Sequence, residues 1–238
     1  MSKHLKRLSA PRTWRLERKN MRWITKPLPG PHSIDAAVPL SILVRDYLNL
    51  ANTQKEAKRI ISNGEILVDG TARKEDKFPC GLMDVVSIPK LKKYFRILFD
   101  QQGKLCLVSI SDKKAKWKLC RIENKTTIKG NKTQINLHDG RNILADKNEY
   151  KTGDVLKISL SDKKISDVFP FEKGNVSLII GGSHVGQMAN INELEITRSS
   201  GPNRVTMKGD SEFSTIKNYV FVIGQKKPEI LISEAKMQ

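Results

Sequence analysis

The clearest pattern in the chain is a short stretch in which helical spacing gives way to strand spacing. Ala57, Ile60 and Ile61 recur three and four positions apart, which is typical of an amphipathic helix. Thr53 and Glu56 stand three apart at the start of this run, and such a pair forms a capping box at a helix start. The pattern therefore predicts a short helix that begins after Thr53.

A tight hairpin is predicted directly after this helix. Gly64 stands where helices favour a left-handed residue. Ile66 and Val68 then alternate as a strand, and Asp69-Gly70 is the pair that a two-residue hairpin turn prefers.

The predicted helix is cationic on the side away from its apolar residues. Lys55 and Arg59 stand four apart and are therefore neighbours, and Lys58 accompanies them. For an isolated helix, a solvated charged face would be the simpler interpretation. The charge of the whole chain favours a binding face instead.

Other patterns predict one more helix and many short strands. Leu40, Leu43, Val44, Tyr47 and Leu48 make an apolar stripe for a first helix. Short apolar runs bounded by Gly, Asn and Asp predict strands at 95–99, 105–110, 134–137, 155–160, 175–180, 193–197, 204–208 and 219–223. We expect an α+β protein of several small domains, with a small antiparallel barrel or sandwich in the middle.

Net charge narrows the class of partner. The 238 residues carry a net charge of +18 and only 38 % hydrophobic residues. Such an imbalance is relieved by a polyanion, either nucleic acid or an anionic membrane. No run of 18 apolar residues exists and no secretory leader is recognisable, so we expect no membrane partner. Three cysteines without C-x-x-C spacing indicate reduced thiols in a cytosolic protein.

The first 32 residues form a basic arm. They hold nine Lys or Arg residues against one acidic residue, with Trp14 and Trp23 among them. Such a segment cannot form its own core, so we expect it to be disordered or loosely attached when alone. Two interpretations stay open for both tryptophans: stacking on RNA bases, or packing onto the body of the protein.

Basic residues are distributed unevenly over the rest of the chain. Residues 33–90 carry eight basic and eight acidic side chains, whereas residues 91–170 have a net charge of +9. The excess includes the segment 112–125, in which five cations surround Trp117. We expect this segment to anchor through Trp117 and to direct its cations outward.

The sequence contains no recognisable motif of an enzyme active site. The segment from Gly181 to Gly186 has the glycine spacing of a phosphate-binding loop, but Gln187 and Met188 replace its Lys and hydroxyl residues. The four histidines are far apart and lack ligands at metal spacing. We therefore expect a glycine-rich turn, no cofactor, no metal, no small-molecule substrate and no catalytic residue.

The helix and hairpin carry a familiar order of residues, namely Thr53, Ala57, Ile61, Gly64, Ile66, Val68, Asp69 and Gly70. This order resembles the core pattern of the S4-type RNA-binding domain. The resemblance implies that the basic helix lies on structured RNA. The usual Ser-Arg at the helix start is Thr53-Gln54 here, so one expected cation is missing. We therefore expect Lys55, Lys58 and Arg59 to make the RNA contacts of this helix.

Further segments extend the resemblance from about Lys3 to about Gly224: residues 3–11, 30–32, 79–88, 118–121, 138–141, 174–186 and 218–224. Together they resemble the S4e family of small-subunit ribosomal proteins, in its archaeal form because the C-terminus is short. The resemblance implies a basic arm (1–38), an S4-type αL RNA-binding domain (39–90), a central antiparallel β-barrel-like domain (91–170) and an SH3-like KOW barrel (171–238). Gln187 stands where KOW segments usually carry a basic residue.

The resemblance and the charge pattern together give a functional expectation. The protein would be a non-enzymatic constituent of the archaeal small (30S) ribosomal subunit in the cytoplasm, bound to 16S rRNA and to neighbouring ribosomal proteins. The candidate RNA-binding residues are Lys3, Lys6, Arg7, Arg12, Trp14, Arg15, Arg18, Lys19, Arg22, Arg45, Thr53, Lys55, Lys58, Arg59, Arg73, Lys74, Lys113, Lys114, Lys116, Lys118 and Arg121. The alternatives are the RNA-binding subunit of an RNA-modifying enzyme, and a free KOW-type RNA-binding regulator.

Overall fold

The computed structural model describes residues 4–130, 132–145, 149–209 and 211–230, which form two compact units. Among these residues, the first unit contains 4–98 and 104–118, and the second contains 99–103 and 119–230. The protein is a mixed α+β chain rich in antiparallel strands, as the sequence predicts.

In its described residues, the first unit combines short strands with three short α-helices and three 3₁₀ turns (Arg7–Ser9, Ile34–Ala36 and Pro89–Leu91). Its strands are β1 (Leu5–Lys6), β2 (Trp23–Ile24), β3 (Ala37–Pro39), β4 (Leu67–Val68), β5 (Thr71–Ala72), β6 (Pro79–Gly81), β7 (Val85–Ile88), β8 (Lys93–Phe99, whose last residue belongs to the second unit) and β9 (Leu105–Ile110). Its helices are α1 (Leu40–Ile42, continued by a π-helical turn over Leu43–Tyr47), α2 (Gln54–Ser62) and α3 (Asp112–Ala115). β1 pairs with β2, β3 pairs with β6, and the main sheet has the order β5-β4-β7-β8-β9.

Strand β8 extends the predicted S4-type module beyond position 90. β7 and β8 pair antiparallel from Ile88 opposite Lys93 to Val85 opposite Arg96. The chain reverses through Lys92, whose φ of 53° is left-handed. Residues that the sequence assigns to a central domain therefore complete the sheet begun by β4 and β7.

The helix and hairpin form as predicted. Thr53 Oγ1 accepts the N–H of Glu56, and the Glu56 carboxylate accepts the N–H of Thr53, which makes the capping box. Ala57 and Ile61 are fully buried, and Gly64 ends the helix with a φ of 73°. β4 and β5 pair around the Asp69-Gly70 turn.

The N-terminal arm packs on the first unit, so the expectation of a loose arm is wrong for its described residues. Trp14 is 1 % exposed, and its indole N–H donates to the carbonyl of Ala37. The N–H of Leu105 donates to the carbonyl of Thr13, and the N–H of Arg15 donates to the Tyr47 hydroxyl. The arm has no core of its own because it shares the core of the unit.

The second unit contains two five-stranded antiparallel sheets. Its strands are β10 (Trp117–Ile128, whose first two residues belong to the first unit), β11 (Lys132–Leu137), β12 (Asn142–Ala145), β13 (Val155–Ser159), β14 (Ile165–Phe169), β15 (Val176–Ile179), β16 (Met188–Glu195), β17 (Arg204–Lys208), β18 (Glu212–Ile216) and β19 (Val220–Gly224). The sheet orders are β12-β11-β10-β13-β14 and β18-β17-β16-β15-β19. The first sheet has a buried core of Cys120, Ile122, Ile135, Leu137, Leu156 and Ile158.

Candidate nucleic-acid interface

The exposed predicted cations all belong to the first unit, namely Lys6, Arg12, Arg15, Lys19, Arg22, Lys55, Lys58, Arg59, Lys74, Lys113 and Lys116. Lys3 lies outside the described residues. The remaining predicted cations are partly or fully buried, namely Arg7, Arg18, Arg45, Arg73, Lys114, Lys118 and Arg121.

Helix α2 presents its cations on a rigid support. Lys55, Lys58 and Arg59 are exposed, while the opposite face is buried in the unit. The N–H groups of Asn52 and Thr53 donate to the Glu56 carboxylate and lower its pKa. The helix start is therefore already occupied by a carboxylate of the protein itself, and its three cations stay available to an external anion.

Lys118 does not face outward, and its assignment to RNA binding is wrong. Its side chain is fully buried, with Nζ 2.6 Å from Oδ2 of Asp69 and 3.0 Å from Oδ1 of Asp84. The other carboxylate oxygen of Asp84 lies 3.0 Å from Nε2 of His32. Burying a cation in an apolar interior requires such partners, because an unpaired buried charge is costly.

The two carboxylates beside Lys118, those of Asp84 and Asp69, have pKa values shifted in opposite directions. Burial alone would raise the pKa of Asp84, but Lys118, His32 and the N–H of Gly81 outweigh it and hold the pKa well below its usual range. Burial and the repulsion of Asp84 raise the pKa of Asp69, although Lys118 opposes them. The N–H of Val85 also donates to Asp69, so this carboxylate fixes both the turn and strand β7.

The structure separates the two tryptophans of the arm. Trp14 is buried, so its inclusion among the RNA-binding residues is wrong and the packing interpretation holds for it. Trp23 is 50 % exposed, with the Arg22 guanidinium 5.2 Å from its ring centroid and the His4 ring centroid at 5.6 Å. Trp23 therefore offers an exposed aromatic surface beside a cation.

Two arginines of the arm hold the arm together. Arg18 donates from its guanidinium to the carbonyls of Leu8, Ala10 and Pro11. Arg7 is 4 % exposed, and its Nε donates to the carbonyl of Glu17. Both side chains stabilise the fold of the arm, and neither is a freely exposed cation.

Three further predicted arginines also make internal contacts. Arg45 forms a two-point ion pair with Asp46, at 3.2 and 2.8 Å. The guanidinium of Arg73 lies 4.6 Å from the ring centroid of Phe78. Arg121, in the second unit, donates to Glu123 and to the carbonyls of Asn218 and Val220, so its predicted role in RNA binding is replaced by a structural one.

Trp117 anchors the basic segment 112–125 as predicted, and its partner is an arginine. Arg96 is 1 % exposed, and its guanidinium lies 4.3 Å from the Trp117 ring centroid. Its Nη2 donates to the carbonyls of Lys114 and Trp117. Lys113 and Lys116 point outward around this anchor, whereas Lys118 points inward.

The sequence around these residues is partly apolar, but it does not identify their partners. Lys118 stands beside Leu119 and Cys120, Asp69 directly follows the apolar strand β4, and Asp84 directly precedes the apolar strand β7. Charged residues are rarely buried without a partner, so each apolar setting indicates that a partner is needed. Trp23 precedes the buried Ile24 in a strand, so alternation alone predicts that Trp23 faces outward.

The glycine-rich segment from Gly181 to Gly186 is a packed turn, as predicted. A Cβ on Gly186 would overlap the backbone carbonyl of Asp100, and a Cβ on Gly181 would overlap the ring of Tyr219. Its glycines are thus explained by close approach of neighbouring chain. Within the described residues, no group of three or more His, Cys, Asp or Glu side chains could hold a metal ion, and none of the described helices has the length and apolarity needed to cross a membrane.

Comparisons with known proteins agree with this picture. Residues 91–165 match the description of Ribosomal family S4e, and residues 1–35 match the RS4NT (NUC023) domain. The chain is 48 % identical over 98 % of its length to small ribosomal subunit protein eS4 of Methanothermobacter thermautotrophicus, covering 97 % of that protein. It is 50 % identical over 94 % of its length to the eS4 protein of Archaeoglobus fulgidus, again covering 94 % of the relative.

A solved structure is similar as well. The crystal structure of the 30S ribosomal protein S4e from Thermoplasma acidophilum shares 39 % sequence identity with a TM-score of 0.70, covering 80 % of this chain and 96 % of that one. The fold and the relatives define a ribosomal protein. The chain belongs to the eS4 family of small ribosomal subunit proteins. This membership confirms the prediction of a ribosomal, non-enzymatic protein.

Proposed function

We propose that this chain, as a structural constituent of the small ribosomal subunit in the cytoplasm, binds 16S rRNA through the cationic surface of its first unit. The central observation is α2, which exposes Lys55, Lys58 and Arg59 on a capped helix whose opposite face is buried. Cations on a preformed helix meet RNA phosphates at little cost in backbone ordering. Such a surface recognises the backbone and shape of folded RNA more than its base sequence.

The arm extends the same surface. Lys6, Arg12, Lys19 and Arg22 are exposed on an arm that is already folded against the unit. Exposed Trp23 adds a ring on which an unpaired base can stack, and such stacking is worth about 1–3 kcal/mol. Lys74, Lys113 and Lys116 supply further cations in the same unit.

The predicted domain arrangement belongs to this proposal. The capped helix α2 followed by the β4–β5 hairpin supports an S4-type αL domain, and the sheet β18-β17-β16-β15-β19 supports an SH3-like KOW barrel. The proposed domains then span 1–38, 39–90, 91–170 and 171–238. Strands β8 and β9 lie within 91–170 along the chain, but they join the sheet of the second domain.

The KOW segment contributes differently from α2. Gln187 is exposed, and its side-chain oxygen lies 3.2 Å from Nδ1 of His184, whose ring stacks on Phe213 at 4.0 Å between centroids. A neutral, ordered surface of this kind suits contact with a neighbouring ribosomal protein more than contact with phosphates.

Sedimentation tests this function against the two alternatives. We expect the protein to co-sediment with the small subunit at about one copy per particle in a sucrose gradient, and to stay there after a moderate salt wash. Recovery at the top of the gradient, or release by mild salt, would indicate a modification factor or a free regulator.

A further inference from the structure

A polar cleft separates the arm from the segment that leads into α2. It has a volume of about 470 Å³, and its walls include Arg7, Asn20, Met21, Arg45 and Asn52, all within the first unit. Small-molecule sites in proteins span roughly 300–1,000 Å³, so the cleft is large enough for one nucleotide.

One wall of the cleft carries Arg7, a cation that has no acidic partner among the described residues. Arg7 is 4 % exposed, and its only side-chain hydrogen bond within the described residues runs from Nε to the carbonyl of Glu17. It forms no ion pair in that part of the chain. A guanidinium held this deeply, whose terminal N–H groups make no hydrogen bond to the described residues, is suited to a phosphate oxygen.

The other charged groups at the cleft are already matched. Arg45 is paired at two points with Asp46, and the helix start at Thr53 is occupied by the Glu56 carboxylate. Any anion that enters the cleft therefore has Arg7 as its cation.

Uncharged groups complete the lining. The side-chain amides of Asn49 and Asn52 make no hydrogen bond within the described residues, and Asn20 makes only one long bond, 3.3 Å to Glu17. An amide offers both a donor and an acceptor, as the edges of the bases require. Met21 is 60 % exposed and supplies an apolar, polarisable side chain against which a ring can pack.

We propose that this cleft takes a single unpaired nucleotide of the bound rRNA, with its phosphate on Arg7 and its base among the asparagine amides and Met21. The proposal rests on the function proposed above, and it names one element of the RNA that α2 alone does not specify. Recognition of an unstacked base in a pocket is the usual way in which proteins read RNA sequence.

Photocrosslinking from inside the cleft tests this proposal. The full chain with Met21→p-benzoylphenylalanine would be bound to the small-subunit rRNA transcript, irradiated and mapped by primer extension. We expect one crosslinked nucleotide in an unpaired position. The matched control carries the same group at Lys58 on α2, where we expect crosslinks to RNA independent of the cleft.

A double-mutant cycle, which combines a protein variant with a change in the RNA, then measures the contact between Asn52 and the base. Asn52→Ala removes an exposed side-chain amide that makes no hydrogen bond to the described residues, and we expect it to weaken rRNA binding about fivefold. With the crosslinked nucleotide made abasic, wild type and Asn52→Ala should bind alike. Arg7→Gln should lose at least as much, and its circular dichroism spectrum shows whether it still folds.

The outcomes separate the two proposals. Crosslinks from position 58 without any from position 21, or losses that simply add in the cycle, would overturn the cleft and leave the function proposed for α2. Absence of crosslinks from both positions would overturn both. Equilibrium dialysis with adenosine and uridine monophosphates tests the other source of this chemistry, and micromolar binding of either, without a crosslink to rRNA, would assign the cleft to a free nucleotide.

Discussion

The ammonium group of Lys118 lies 2.6 Å from the carboxylate of Asp69, although 49 residues separate them in the sequence. The contact ties the start of β10 to the hairpin turn beside α2, and Asp84 extends it to His32 of the arm. A lysine in the most basic segment of the chain is thereby part of the core of the unit that presents α2.

Removing Lys118 should destabilise the first unit strongly. Lys118→Met keeps the length of the side chain but leaves two buried carboxylates without their shared cation, which typically costs about 3–5 kcal/mol. Urea unfolding followed by circular dichroism measures the change. The control Lys116→Met alters an exposed lysine and should shift stability by less than about 0.5 kcal/mol. Equal midpoints for both variants would contradict the account.

Asp84 should make stability depend on pH at the acid side. Its pKa in the folded protein is lowered, so it stabilises the protein above the pKa of the unfolded chain, about 3.9, and this contribution is lost as pH falls towards the folded value. The stability difference between wild type and Asp84→Asn should therefore be smaller at pH 3 than at pH 5. Urea midpoints at pH 3, 4, 5 and 7 measure it, and a difference that stays constant down to pH 3 would refute the assignment.

Gly81 should be replaceable only together with His32. A Cβ on Gly81 would overlap the imidazole ring of His32, so Gly81→Ala should displace that ring from Asp84 and loosen the arm. We expect faster limited proteolysis within residues 1–31 of Gly81→Ala. The variant His32→Ala removes the overlapping ring, so adding Gly81→Ala to it should speed proteolysis less than adding Gly81→Ala to wild type does. Strictly additive effects of the two substitutions would argue against this contact.

The two arm tryptophans should separate stability from RNA binding. Trp14→Ala should lower the free energy of unfolding by about 3–5 kcal/mol, because it empties a buried site and removes the hydrogen bond to Ala37. Trp23→Ala should change stability by less than about 1 kcal/mol yet weaken rRNA binding roughly tenfold, as the loss of one stacked base would. Circular dichroism melts and filter binding measure the two effects. Unchanged binding of folded Trp23→Ala would remove Trp23 from the interface.

Local sequence patterns are sufficient to predict helix α2 and the hairpin that follows it. The Thr53–Glu56 capping box, the Ala57–Ile61 spacing and the Asp69-Gly70 turn each act over a few residues, so the sequence states them directly. The sequence also predicts the strands at 105–110 and 204–208 at their observed bounds, since each is a short run bounded by turn residues.

Long-range pairing explains what the sequence did not show. Lys118 and its neighbour Lys116 have the same local composition, and only acids 34 and 49 residues away decide that Lys118 is buried. Trp14 and Trp23 likewise share a basic context, and only the packing of the arm against Ala37 selects Trp14 for the core. The polar cleft depends on the arm and the start of α2 coming together, which no single segment specifies.

The most direct test of the central claim is charge reversal on α2. The triple variant Lys55→Glu/Lys58→Glu/Arg59→Glu changes exposed side chains alone, so the protein should fold as wild type by circular dichroism. A control with the same change in charge replaces Lys164, Lys173 and Lys226 of the second unit by Glu. We expect the α2 variant to lose specific rRNA binding at physiological salt, and the control to keep most of it.

The charge reversal on α2 should also change the salt dependence of rRNA binding. If the three cations contact phosphates, the slope of log K against log salt should fall by about 2–3 for the α2 variant. Binding of the folded α2 variant with unchanged affinity and slope would contradict the claim that this helix holds the RNA.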